Sequence, residues 1–107
     1  MHYQFEAIHP FTDGNGRTGR VLNILYLNSL GLLDLPTLYL SKYIIQNKSQ
    51  YYDCLRGVTE RGEWEAWILY MLDSVEVTAI ETQNRMTRIQ EAMNQAIELV
   101  KTQKPYL

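Results

Sequence analysis

The sequence predicts an all-α fold, on three observations. Apolar residues recur at three- and four-residue spacing in several separate stretches, and no stretch reads convincingly as a strand. Gly31, Pro36, Gly62 and Pro105 stand between or after those stretches, where helices stop. With 107 residues and 46% apolar composition, the chain suits one domain with a modest core. It contains no internal repeat and no low-complexity segment.

The opening "MHYQFEAI" sets Tyr3 or Phe5 and Ile8 near helical spacing and predicts the last turns of a helix ending near His9-Pro10. No capping signal precedes it, so the chain reads as beginning in the middle of something larger. From about residue 15 to residue 30, Val21, Leu22, Ile24, Leu25, Leu27 and Leu30 form a broad apolar stripe. Gly31 then supplies a stop, and this second helix is expected to be central and largely buried. A connector held by Pro36 follows. Ser41 is expected to cap a short helix, "KYIIQN", before a further helix, "KSQYYDCLRGVTE", ended by Gly62.

"EWEAWILYML" predicts another helix packed on Trp64, Trp67, Ile68, Met71 and Leu72. A long polar helix is expected from about residue 73 to residue 104. Along it Val75, Ala79, Thr82, Met86, Ile89, Met93, Ala96 and Val100 alternate spacings of four and three, a thin heptad seam. Two readings of the seam stand side by side: packing along its own domain, or pairing with a second copy as a homodimer.

Ten basic residues against twelve acidic ones leave a net charge of −2, which argues against direct nucleic-acid binding or attraction to anionic membranes. Asn23, Asn28 and Asp34 interrupt the best apolar run, and the start lacks the regions of a signal peptide. The lone cysteine, Cys54, cannot form an internal disulfide and sits among apolar neighbours, as a buried thiol would. A cytoplasmic protein is the expectation.

The stretch "HPFTDGNGRTGR", residues 9–20, stands apart. Three of the six glycines fall within it, among a histidine, an aspartate, an asparagine and two arginines. Lying between two helices, it must form the turn into the second. Gly14 and Gly16 allow a ligand close to the main chain, whose amides and helix dipole favour an anion. Arg17 and Arg20, three apart on one side, suit phosphate oxygens. Asp13 is the nearby hard oxygen ligand, and magnesium on a nucleotide needs only one or two carboxylates. His9 supplies an imidazole, the side chain suited to taking a proton from a hydroxyl near neutral pH. Each feature alone has a plainer structural reading; together they fit attack by a hydroxyl on a bound nucleotide phosphate.

The stretch resembles the Fic family signature, His-x-Phe-x-[Asp/Glu]-Gly-Asn-Gly-Arg-x-x-Arg. His9, Phe11, Asp13, Gly14, Asn15, Gly16, Arg17 and Arg20 fill every specified position. At a residue usage near ~5% per position, chance would supply such a match on the order of 10⁻¹¹ times per window. The segment "LPTLYLSKYIIQNKSQYYDCLRGVTERGEWEAWILYML" is similar to the helices that follow the motif in the large branch of bacterial Fic proteins. The resemblance implies the C-terminal part of a partial Fic-like core over residues 1–80. Residues 81–107 would be a long helix leading toward a C-terminal winged-helix domain beyond the chain.

The resemblance implies transfer of AMP from ATP to a Ser, Thr or Tyr hydroxyl of a target protein. His9 would be the general base and Asp13 the Mg²⁺ ligand. Gly14, Asn15 and Gly16 would line the phosphate site, Arg17 would hold the outer phosphates and Arg20 the γ-phosphate. Phe11 would anchor the loop in the core. The Doc-type relatives that phosphorylate carry lysine where this chain has Gly16, so the resemblance favours nucleotide transfer. Tyr52 matches a residue that contacts the base, with Tyr39, Tyr43 and Asn47 as lesser candidates. The family's target-aligning flap lies upstream of the motif, so the chain as given is expected to transfer poorly or not at all. The inhibitory pattern [Ser/Thr]-x-x-x-Glu-[Gly/Asn] is incomplete at Thr59–Glu63 and at Thr87–Glu91, and both read as coincidences. The alternatives are a nucleotide-binding fragment without catalysis and a helical dimerisation or adaptor module.

Overall fold

A computed structural model describes residues 1–34 and 36–103. Five helices account for almost all of it: α1 (His2–Ile8), α2 (Asn15–Ser29), α3 (Ser41–Gln46), α4 (Lys48–Arg61) and α5 (Trp64–Gln103). There is no strand among the described residues, so the fold is all-α as the sequence predicts. The expected stop at Pro105 lies outside them. None of these helices is long and apolar enough to cross a membrane.

α1 packs on α2, and α3, α4 and α5 pack on one another. The core lies in the second group: Leu38, Leu40, Ile44, Tyr51, Val58, Trp67 and Tyr70 are buried together. Asn47 joins α3 to α4. Its side chain donates to the Tyr43 carbonyl, and its own carbonyl accepts the Tyr51 N–H. Gly62 ends α4 at φ 65°, a left-handed turn that glycine takes without steric cost.

A buried polar cluster ties α1 to the rest. His2 Nε2 lies 3.0 Å from the Tyr51 hydroxyl and Nδ1 3.1 Å from Asn23 Nδ2, while the ring stacks on Trp67 at 5.8 Å. One residue of α1 thereby reaches α2, α4 and α5.

The packing corrects several expectations. α2 is not largely buried: its inward residues are Asn15, Gly19, Asn23 and Ile24, and Val21, Leu25, Tyr26 and Leu30 are about half exposed. The reason is that α1 approaches along the small and polar i, i+4, i+8 row. Ser41 does not cap α3; it is the first helical residue, after Leu40 at the cap position.

The two expected C-terminal helices are one helix of 40 residues, because no glycine or proline interrupts it. Its buried residues are Trp67, Tyr70, Ser74 and Thr78, whereas Trp64, Ile68 and Leu72 are exposed. Small Ser74, fully buried, lets the backbone of α5 come close; its hydroxyl donates back to the Met71 carbonyl. Own-domain packing of the heptad seam ends at Thr82, beyond which Met86, Ile89, Met93 and Val100 are exposed. Cys54 is partly buried beside the core, and burial pushes its thiol pKa up, which suits an inert residue.

Candidate functional site

The loop between α1 and α2 is held by one side chain. Asn15, buried at the first position of α2, accepts the Phe11 N–H on Oδ1 at 2.9 Å. It donates from Nδ2 to the Phe11 carbonyl at 2.7 Å. Both backbone groups of Phe11 are satisfied this way, so the loop needs no apolar anchor. The Phe11 ring is in fact 53% exposed, resting near Phe5 at 6.4 Å, which corrects the expectation that it anchors the loop in the core.

Gly14 stands at the N-cap of α2 with φ 80°, and its carbonyl accepts both the N–H and the hydroxyl of Thr18. This turn leaves the first amides of α2 free of intrahelical partners, at the positive end of its dipole. His9 closes α1 with φ 50° and ψ 60°; it is the one described non-glycine residue at positive φ. A histidine in that conformation carries backbone strain, which at functional sites serves to aim a side chain.

His9, Gly16, Arg20 and Tyr52 line one cavity of about 450 Å³, four sequence-predicted residues brought together from two helices, α2 and α4, and the loop after α1. Both tyrosines border it, but Tyr51 is core and Tyr52 half exposed, so the second offers the larger surface to a ligand. Tyr43 belongs to the core margin and Tyr39 opens onto a different groove with Lys42 and Arg85, so neither joins the cavity. Asn47 spends its amide on the Tyr43 carbonyl.

The two arginines separate. Arg20 is partly buried along the cavity, with Nε donating to Ser41 Oγ at 2.9 Å. Arg17 is exposed and pairs with Asp13 at 3.3 Å. An exposed pair of this kind contributes little to stability and is free to reorganise around a ligand. Asp13 also accepts the Gly14 N–H at 2.7 Å. No group of three His, Cys, Asp or Glu residues is placed to hold a metal among the described residues. Thr59 bonds to Tyr3 and Glu63 pairs with Arg61.

Three residues of the site were not predicted. Glu6 and Lys48 line the cavity, and Ser41 holds Arg20. Glu6 Oε1 is buried without a hydrogen-bond partner, and burial raises its carboxyl pKa against the opposing pull of Arg20 and His9. A side chain on Gly19 would collide with that oxygen, so the glycine makes room for it. Helical spacing offered a signal: Glu6 precedes His9 by three residues and Lys48 precedes Tyr52 by four.

A family model described as Fic/DOC matches residues 1–27. The protein adenylyltransferase Fic of Aedes aegypti is 36% identical over 77 residues, 72% of this chain. The corresponding proteins of Drosophila mojavensis and Culex quinquefasciatus are 38% and 36% identical over the same length and share of the chain. The aligned part is 14% of each relative. These are insect proteins, not members of the bacterial branch that the segment after the motif resembles. From a complete signature loop, the family-model match across it and relatives aligned well beyond it, the chain belongs to the Fic/DOC family.

Proposed function

We propose that this chain carries the catalytic loop of a protein adenylyltransferase, which moves AMP from ATP to a hydroxyl side chain of a target protein. The observation that carries the reading is the shared cavity of His9, Gly16, Arg20 and Tyr52 at the N-terminus of α2. A base, a phosphate-binding turn, a cation and an aromatic face are the parts that nucleotide transfer needs in one place. The names of the relatives point the same way.

His9 takes the proton of the target hydroxyl as its oxygen bonds to the α-phosphorus. The bond to the bridging oxygen breaks, and pyrophosphate leaves with the electron pair. Arg20 holds the charge of the γ-phosphate, and the amides of Asn15 and Gly16 that of the inner phosphates; Gly14, whose N–H is bonded to Asp13, and the buried Asn15 side chain shape the turn. Arg17, released from Asp13, supports the outer phosphates. Tyr52 offers its ring to the adenine. Asp13 fits a magnesium ion: its carboxylate is 91% exposed, and a single hard ligand suffices when phosphates and water complete the shell. When bound, the ion would neutralise phosphate charge.

Calorimetric titration with ATP and Mg²⁺, together with transfer of labelled AMP to proteins of a lysate, tests the reading. Arg20→Ala should weaken ATP binding, and Asp13→Ala should make that binding insensitive to added Mg²⁺. His9→Ala should spare binding and, in a chain extended upstream that transfers AMP, cost about 10²–10⁴ in rate. Parent-like ATP binding by Arg20→Ala would overturn the assignment.

The exposed seam of α5 supports a second contribution, pairing with another copy of the chain. Met86, Ile89, Met93 and Val100 keep the coiled-coil spacing past the point where the domain stops covering them.

A further inference from the structure

We propose that Ser41 is a positioning residue for Arg20, setting which edge of the guanidinium meets the nucleotide. The inference rests on the phosphate role proposed above for Arg20.

The hydroxyl of Ser41 has no local duty: α3 has no side-chain cap bond, and its first turn begins without help from this residue. Instead Oγ accepts the Nε–H of Arg20 at 2.9 Å, across 21 residues of sequence. Among the described residues this is the one hydrogen bond that the Arg20 side chain makes, and no carboxylate comes within ion-pair distance of it. Glu6 is near enough to feel its charge but does not pair with it.

A guanidinium presents five N–H groups on a rigid plane, and either the Nε side or the two terminal nitrogens can grip an anion. Ser41 occupies the Nε side. What remains is the end-on pair Nη1 and Nη2, whose geometry matches two oxygens of one phosphate. The opposite contact agrees: Nη1 lies 3.2 Å from where a Cβ on Gly16 would stand, so this terminal nitrogen reaches the bare backbone of the phosphate turn. Held between α2 and α3, the long side chain loses its rotamer freedom before the ligand arrives, so binding does not bear that loss.

The test is calorimetry on the full chain with two probes, ATP and AMP, each with Mg²⁺. Ser41→Ala should weaken ATP about tenfold, the scale of one hydrogen bond to a charged group. It should leave AMP unchanged, because AMP lacks the outer phosphates that Arg20 serves. Ser41→Thr, which keeps the hydroxyl, should restore ATP binding. Combined with Arg20→Ala, the serine change should add nothing further.

The outcomes separate. Parent-like ATP binding by Arg20→Ala would overturn the phosphate reading and this inference with it. A weakened Arg20→Ala beside a parent-like Ser41→Ala would overturn this inference alone. Equal losses for AMP and ATP, or additive losses in the double variant, would make Ser41 merely structural and also overturn it.

Discussion

His9 takes a left-handed backbone conformation that a glycine would adopt freely. The cost for a residue with a Cβ is roughly 1–2 kcal/mol, and no contact of the exposed ring visibly repays it. His9→Gly should therefore melt no lower than the parent, and higher by up to about 1 kcal/mol of stability, while abolishing transfer in a chain extended upstream that transfers AMP. Thermal melts beside the labelled-AMP assay check both halves; a clear loss of stability would mean that the imidazole is structural. At this scale the sequence carried much of the candidate site. His9, Gly16, Arg20 and Tyr52 were identifiable from motif and spacing because each belongs to a local pattern. Ser41 was misread as a cap, since a serine before a helix has a local use that hides a distant one. Phe11 was misread for a related reason: its apolar character suggested burial, but two hydrogen bonds between its backbone and the Asn15 side chain, one in each direction, do the anchoring.

Helix α5 illustrates where element boundaries escaped the sequence. The change from apolar to polar composition near Asp73 reads as a border, yet helix continuity depends on the backbone, and nothing between Trp64 and Gln103 breaks it. Its buried face also shifted, from the large apolar residues to Trp67, Tyr70, Ser74 and Thr78, because close approach beyond the two aromatic residues selects small side chains. Past Thr82 the seam has no cover in its own domain. Met86→Asp and Ile89→Asp together should leave the melting of the α1–α4 body unchanged, since neither side chain touches it. The same pair should convert a self-associated species to a monomer by placing charges on the paired seam. Light scattering reads the mass, and an unchanged oligomer would move the association elsewhere.

The molecule as a whole joins two groups of helices through the His2 cluster, and that makes its stability depend on pH. Burial holds the His2 pKa below its ordinary 6.5, so the unfolded chain binds the extra proton first. Stability is therefore full above pH 6.5 and declines as pH falls from there through the lowered folded value. Glu6 works the other way: its raised pKa favours the protonated fold, so its burial penalises the folded state as pH rises through that value. Thermal melts between pH 4.5 and 7.5 should show a loss on acidification for the parent. The loss should be steeper for Glu6→Gln and flatter for His2→Gln. Identical profiles for the parent and His2→Gln would remove the imidazole from the balance. This cluster was not visible in the sequence, because His2, Asn23, Tyr51 and Trp67 are far apart in it and share no motif.

The single 40-residue helix has a mechanical consequence. Its first turns are fixed against α4, whose Tyr51 also borders the cavity, and the stretch from Thr82 to Gln103 projects about 32 Å beyond that anchorage. It is a lever with a short, clamped arm and a long, free one. A tilt of about 5° at the clamp carries the far tip nearly ~3 Å. A displacement too small to notice among the core side chains thus arrives at the end of the rod as a change of about a van der Waals contact, enough to engage or part a surface lying there.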